Sequence, residues 1–458
     1  MMIKNVYFLG IGGIGMSALA RYYHHAGAFV AGYDLTQTHL TDLLQKEGMD
    51  IHFEDDPERI PKQVIRDKAH TLVIYTPALP PNHKEYSWLG TNGYDIIKRS
   101  AALGRIAEKH TTLAVAGTHG KTTTSTLLAH ILQHAGTGCT AFLGGISRNY
   151  NSNLLLSKGR FLVAEADEYD RSFLQLHPQF AVITSAEADH LDIYGTHQAV
   201  KEAFAEFASQ VVPGGSLVIK KGITLPLHLQ RDVTLYTYDY KQECDFYTCN
   251  ARPGPGGKYT FDLVLKGNVL QDCHLGIPGR IHVENAVAAA ALAFLAGIKP
   301  TAIREALATF CGVTRRMDVR YHTEGCCYID DYAHHPAEIR ATVLSVREWF
   351  PNKKITGIFQ PHLYSRTRDF AREFAKSLDL LDRVVLLPVY PARETPIPGV
   401  DSEMLAAMLT TKDCYVLEPA EVVHFVRETR PQVLLTLGAG NIDRLVDPIT
   451  TCLKEIGL

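Results

Sequence analysis

No stretch of this 458-residue chain approaches 18 consecutive apolar residues, so no membrane-spanning helix is expected. Cys-x-x-Cys pairs are absent, and the nine cysteines are an odd number with several in apolar runs. A disulfide framework is therefore not expected, and reduced thiols are. The 21 histidines show no zinc-ligand spacing, and His24-His25, on an amphipathic helical stretch, reads as a solvated or packing pair. Charge of one sign is also missing: 46 basic against 49 acidic residues leave a net charge of -3. That balance gives no footprint for a nucleic-acid or anionic-membrane partner. The opening MMIKNVYFLGIGG enters a strand and a glycine turn rather than a hydrophobic signal region, so a cytoplasmic location is expected. What is present, 46% hydrophobic and 21% charged residues, is ordinary for a globular protein of roughly two to four domains.

The most informative stretch is LAVAGTHGKTTTSTLL at 113–128. The apolar run Leu113–Ala116 reads as a buried strand. It enters Gly117-Thr118-His119-Gly120-Lys121-Thr122 and then a helix-forming segment ending at Gly136. Strand, glycine loop, Lys-Thr and helix is the layout of a phosphate-binding loop, in which glycines admit the phosphates to the backbone and the helix start favours anions. Lys121 can reach terminal phosphates, and the Thr122 hydroxyl can ligate magnesium. The generic pattern has four residues between the first glycine and Gly-Lys. Here Gly117 and Gly120 are separated by two, and Val115 stands at the usual first glycine. On the residues alone, an ordinary strand–helix turn carrying Gly-Lys remains open.

Taken in order, the first block places a strand at Val6–Leu9, then Gly10-x-Gly12-x-x-Gly15, a helix closed by Gly27, and a strand at Ala28–Tyr33 followed by Asp34. This is a dinucleotide fingerprint, including its downstream acid, and read alone it predicts an NAD-dependent dehydrogenase. A third strand, Thr71–Tyr75, runs into Thr76-Pro77-Ala78. In the second block, strands at Arg160–Ala164 and Phe180–Thr184 end in Glu165-Ala166-Asp167-Glu168 and Glu187-Ala188-Asp189-His190. Acids and a histidine at strand carboxyl ends sit where open α/β sheets bind ligands. Strands at Ser216–Lys220, Val233–Tyr240 and Tyr259–Leu265 read as antiparallel additions. Asn285, ahead of an alanine-rich helix ending near Gly297, faces a nucleotide or merely caps that helix. The third block alternates strands at Cys327–Ile329, Ile355–Phe359, Val384–Pro388, Cys414–Leu417 and Val433–Leu437 with helices such as Arg368–Leu380 and Ala420–Glu428. Three of these strands end in polar clusters: Asp330 to Pro336, Gln360 to Arg368, and Gly438 to Asn441.

Three α/β blocks carrying GIGGIGMS, AGTHGKTTT, EADE, EADHLD, TRRMD, DDYAHHP, FQPHLYSRTRD and LGAGNI resemble the Mur ligase family over nearly the whole chain. The compact GTHGKT loop is a trait of that family. The resemblance implies an α/β protein of three domains. These are a UDP-sugar-binding Rossmann-like domain at 1–105, a central ATP-binding domain at 106–312, and a Rossmann-like domain at 313–458 that closes over ATP and amino acid. The central sheet is expected to be mostly parallel with antiparallel additions. Implied too are ATP hydrolysis with magnesium and the joining of L-alanine to the lactyl carboxylate of UDP-N-acetylmuramate through an acyl phosphate, in peptidoglycan precursor synthesis. Neither nucleic acid nor membrane insertion is implied, and the state is monomer or homodimer.

Residue assignments follow from the same resemblance. Gly12, Gly13, Ile14, Gly15, Met16 and Ser17 would hold the diphosphate of the UDP-sugar, with Asp34 facing the uridine end and Thr76, Pro77 and Ala78 lining the substrate. Gly117, Thr118, His119, Gly120, Lys121, Thr122 and Thr123 would cradle the phosphates of ATP. Thr122 and Glu165 are the implied ligands of one magnesium ion, and Glu165 and His190 of a second. His282, Asn285 and Asp331 fall on the nucleotide side, Arg316 near the phosphates, and His334 and Arg366 on the substrate carboxylate and alanine. His282 departs from the asparagine of many members, and Leu363 from an arginine found in some, which leaves Arg368 or Arg393 as stand-ins. A solvated helix-face charge is an equal reading of Arg368. A related recycling ligase, which attaches an intact peptide to UDP-muramic acid, remains an alternative, although FQPHLYSRTRD favours the single-amino-acid enzyme. The dehydrogenase reading predicts hydride transfer without ATP turnover.

Overall fold

The apolar pentapeptides NVYFL, FVAGY and TLVIY are almost wholly buried, as strands covered on both faces require. They form β1 (Asn5–Leu9), β2 (Phe29–Tyr33) and β4 (Thr71–Tyr75), joined by β3 (Asp50–His52) and β5 (Asp95–Lys98) in a parallel sheet of order β3-β2-β1-β4-β5. The order reverses between β1 and β4, which opens a crevice at their carboxyl ends, and the Gly10 turn leaves β1 there. The structure is a computed structural model and describes residues 3–189, 191–392 and 394–457.

The second sheet contains β6 (Thr111–Ala116), β7 (Thr140–Ser147), β8 (Ser152–Leu155), β9 (Phe161–Ala166), β10 (Phe180–Ile183), β11 (Ser216–Lys220), β12 (Thr234–Tyr238), β13 (Phe246–Pro253), β14 (Lys258–Leu265) and β15 (Asn268–Pro278). Its order is β15-β14-β13-β12-β11-β10-β6-β9-β7-β8. β6 lies between β9 and β10 and parallel to both, with Val115 opposite Glu165 and Ala116 opposite Ile183. This register sets the end of β9 and the exit of β10 on either side of the Gly117–Thr122 loop. Two expectations need correction: β11 and β12 are parallel strands, not antiparallel additions. Between β10 and β11 the chain crosses back through the helix His197–Ser209, and a crossover returns a strand in the same direction. An antiparallel pair does exist in β7 and β8, whose Gly144-Gly145 stretch weakens the strand signal in sequence.

The third sheet is built from β16 (Asp318–His322), β17 (Cys327–Asp331), β18 (Ile355–Phe359), β19 (Arg383–Leu386), β20 (Cys414–Val416) and β21 (Val433–Leu437) in the order β16-β17-β21-β18-β19-β20. All pairs are parallel except β16 on β17. Leu437 is opposite both Asp331 and Phe359, so the polar clusters after β17, β18 and β21 share one edge. The helix expected at Arg368–Leu380 is two helices, Tyr364–Asp369 and Ala371–Leu378, because Phe370 leaves helical geometry at φ -114°.

The chain forms two compact units. One comprises Met1–Cys249, Asp262–Cys273 and Asn285–Cys311; the other comprises Asn250–Phe261, His274–Glu284 and Gly312–Leu458. In the second unit the GPGG turn at 254–257 meets helix Pro336–Trp349. The Tyr259 hydroxyl donates to Glu348 at 2.6 Å, and Arg280 Nε lies 3.2 Å from the same carboxylate. Among the described residues no helix is long and apolar enough to cross a membrane.

Candidate active site

Gly117 leaves β6 at φ +137°, and Gly120 caps the helix Lys121–His134 at φ +80°, conformations that a side chain resists. The space is taken as well: a Cβ on Gly117 would collide with Thr184 Oγ1, and one on Gly120 would sit 2.7 Å from Asn285 Oδ1. The loop is laced to the exit of β10. Thr184 Oγ1 donates to the His119 carbonyl at 2.5 Å, Thr118 Oγ1 to Ser185 Oγ at 2.9 Å, and His119 N to Ser185 Oγ at 2.8 Å. Asn285 lies inside helix Arg280–Leu295, so the capping alternative for it does not hold.

The first two residues of the helix, Lys121 and Thr122, meet the acids Glu168 and Glu165. Thr122 Oγ1 donates to Glu165 Oε1 at 3.1 Å, and Glu165 Oε2 accepts from Gly144 N at 3.1 Å. The implied magnesium ligands Thr122 and Glu165 are thus brought together by the β6–β9 register. Both donors are hard oxygens, the kind magnesium takes. Lys121 Nζ donates to the Gly117 carbonyl at 2.6 Å and to Glu168 Oε2 at 2.7 Å. Burial opposes its charge, but Glu168, Asp167 and Glu165 outweigh burial and hold the ammonium above its usual range. Glu168 is anchored in turn, its carbonyl accepting from the Tyr194 hydroxyl at 2.6 Å. Sequence reasoning missed Glu168, Thr184 and Ser185 as partners of this loop; their one signal was position at the end of an apolar strand. His190 and Arg393 lie outside the described residues.

At the first sheet, the Asp34 carboxylate enters the glycine turn. Its Oδ2 accepts from Gly12 N at 2.7 Å and its Oδ1 from Thr36 N at 3.1 Å. Thr76 packs on Gly10, where a Cβ would sit 3.4 Å from Thr76 Cβ, and its hydroxyl accepts from Ala78 N at 3.4 Å. The Met16 side chain is in the core, and the buried Ser17 hydroxyl donates to the Ile14 carbonyl and accepts from Asn153 Nδ2, so what these two residues offer to the turn is backbone.

On the edge of the third sheet, buried Asp331 accepts from Thr342 Oγ1 at 2.6 Å. Burial pushes its carboxyl up to about 6 against the pull of Thr342 and Arg316. The Arg316 guanidinium lies over the Tyr332 ring at 4.8 Å. His334 Nδ1 is 3.3 Å from Glu338, and its ring meets that of His362 at 6.1 Å. Arg366 is buried on the short helix after Leu363, which has φ +70°. An apolar, buried Leu363 cannot replace an arginine's charge. His282 is buried, with no hydrogen-bond partner at either ring nitrogen among the described residues; burial, then Arg316, hold it down at about 4.

Residues 5–111, 115–293 and 315–440 match the models described as "Mur ligase family, catalytic domain", "Mur ligase middle domain" and "Mur ligase, glutamate ligase domain". The UDP-N-acetylmuramate--L-alanine ligase of Parabacteroides distasonis is 50% identical over 455 residues, 99% of this chain and 97% of that protein. The chain belongs to the Mur ligase family. Among solved structures, the UDP-N-acetylmuramate-alanine ligase of Thermotoga maritima superposes with a TM-score of 0.83 at 29% identity, covering 98% of this chain and 99% of that one. A murein peptide ligase from Psychrobacter arcticus gives 0.69 at 19% identity, over 98% of both chains, a likeness of fold alone. Membership removes the dehydrogenase reading of the first block: its dinucleotide-like turn opens a Mur ligase domain.

Proposed function

We propose that this chain is an ATP-dependent, ADP-forming ligase that joins L-alanine to the lactyl carboxylate of UDP-N-acetylmuramate, in the cytoplasm, during peptidoglycan precursor synthesis. The observation that carries the ATP half is the pairing of Lys121 and Thr122, first in their helix, with the acids at the end of β9. The substrate half is supported by near-full-length identity of 50% to a ligase of that name.

A carboxylate is a poor acceptor for an amine because oxide leaves badly. Transfer of the terminal phosphoryl group of ATP makes it an acyl phosphate; the amine of alanine then adds to the carbonyl carbon, and the tetrahedral intermediate expels phosphate. Phosphoryl transfer is chiefly positioning and charge neutralisation. In this reading the ammonium of Lys121 leaves Glu168 for the phosphates, and the Gly117–Thr123 backbone cradles them. Thr122, Glu165 and His190 would hold magnesium, which supplies charge neutralisation when bound. Asn285, His282, Asp331 and Arg316 serve the nucleotide, and His334 and Arg366 the carboxylate and amine. The glycine turn after β1, with Asp34 and Thr76–Ala78, takes the UDP-sugar. The domains at 1–105, 106–312 and 313–458 and a monomeric or homodimeric state belong to the same proposal.

Phosphate release from ATP with UDP-N-acetylmuramate, comparing L-alanine, other amino acids and the tripeptide, tests it. Turnover with L-alanine is expected; turnover with the tripeptide alone would make the chain a recycling ligase.

A further inference from the structure

The acidic segment that closes β9 and continues beyond it faces two ways. Glu165 and Glu168 meet the phosphate loop, while Asp167 accepts from Arg99 Nη2 at 3.0 Å and Asp170 from Lys98 Nζ at 3.0 Å. Arg99 opens the helix Arg99–Ala107 directly after β5, and its guanidinium lies against Gly15, where an added Cβ would collide with Nη1. Gly15 is in the first turn of helix Ile14–His25, a turn that carries no acidic residue. Asp167 balances this cation at the positive end of the helix, where a further anion is favoured. The turn also has a deficit of its own. Residues 10–17 contain no charged side chain, and Asp34 both consumes the Gly12 N–H and adds a negative charge. A diphosphate arriving there meets a carboxylate and needs a cation from elsewhere in the chain.

We propose that Arg99 is that cation: its guanidinium binds the phosphates of the UDP-sugar, and Asp167 is the positioning residue that aims it. The inference rests on the assignment of the turn to the UDP-sugar. It gives the two nucleotide sites a shared support, because adjacent residues Asp167 and Glu168 hold Arg99 and Lys121.

Calorimetry with uridine, UDP and a non-hydrolysable ATP analogue on the full chain is the test. Arg99→Ala and Arg99→Gln are expected to weaken UDP by roughly 10- to 100-fold while uridine and the ATP analogue stay within about twofold of wild type. Arg99→Lys recovers part of the UDP affinity. Asp167→Asn raises the KM for the UDP-sugar severalfold with little change in kcat. Unchanged UDP binding in Arg99→Gln overturns the inference, as does an equal loss of uridine, UDP and ATP-analogue binding, which would mark a structural arginine. Failure of the wild-type chain to bind UDP at all would instead remove the UDP-sugar assignment, and the inference with it.

Discussion

Two strand–glycine–helix turns in one unit differ in where their charge comes from. The loop after β6 carries its cation on its own helix, as Lys121, and its hydroxyl beside it, as Thr122. The turn after β1 carries none; a carboxylate, Asp34, reaches into it, and Arg99 lies against it from the start of another helix. Their backbones differ too: Gly120 sits at φ +80°, whereas Gly13 caps its helix at φ -64°, where any residue fits. On the proposed assignments the same layout yields one self-contained phosphate site and one that depends on distant residues, and only the first announces its chemistry locally.

The sharpest way to break this comparison is Lys121→Ala. Turnover is expected to fall by roughly 100- to 1000-fold, as for loss of a group that stabilises developing charge, while calorimetry shows UDP-sugar binding intact. Because Glu168 keeps its buried charge, Lys121→Ala/Glu168→Gln is the folded control; loss of both ligands in that variant would show that the sites are not separable. Gly120→Ala comes next. It forces a Cβ into a left-handed backbone and toward Asn285, at a cost of roughly 1–3 kcal/mol in thermal or denaturant unfolding, with weaker ATP binding.

The helix behind one turn and the sheet behind the other should respond oppositely to pH. His130, on the phosphate-loop helix, is buried between Tyr150 and Thr309, and burial, then His134, lower it from 6.5 to about 4. Its contribution to stability is present above 6.5 and lost as pH falls toward 4. Glu85, behind the first turn, accepts from the Tyr7 hydroxyl at 2.6 Å and is raised by burial from 4.5 to about 7. Its contribution is present below 4.5 and lost as pH rises to 7. Melting curves from pH 4 to 8 should show His130→Gln flattening the acid limb and Glu85→Gln the neutral limb, each by up to roughly 3 kcal/mol. The smallest effect is expected for Gly13→Ala: the nearest atoms to an added Cβ are 3.7 Å away, so stability should change by less than about 0.5 kcal/mol. A large loss would mean that this glycine, like Gly120, is conformationally required.

The Gly117–Thr122 turn, its helix and the place of Glu165 at a strand end were legible because a glycine run before Lys-Thr, and an acid closing an apolar run, are each local patterns. The parallel placement of β11 and β12 was not, because an alternating apolar strand reads alike in either direction until its crossover is seen. Burial of Met16 and Ser17 was likewise hidden in a fingerprint that marks the turn but not which face of the helix meets β8 and Asn153.

By itself the sequence determined the strands, the glycine turns and the candidate groups, since φ preferences, apolar periodicity and side-chain chemistry are properties of adjacent residues. Tertiary structure alone decided the pairings: Lys121 with Glu168, Thr118 with Ser185, Arg99 with Asp167 and Gly15. Those partners are far apart along the chain. What joins them is sheet order and register, which are fixed when the strands bury their apolar faces together, and no local signal carries that information.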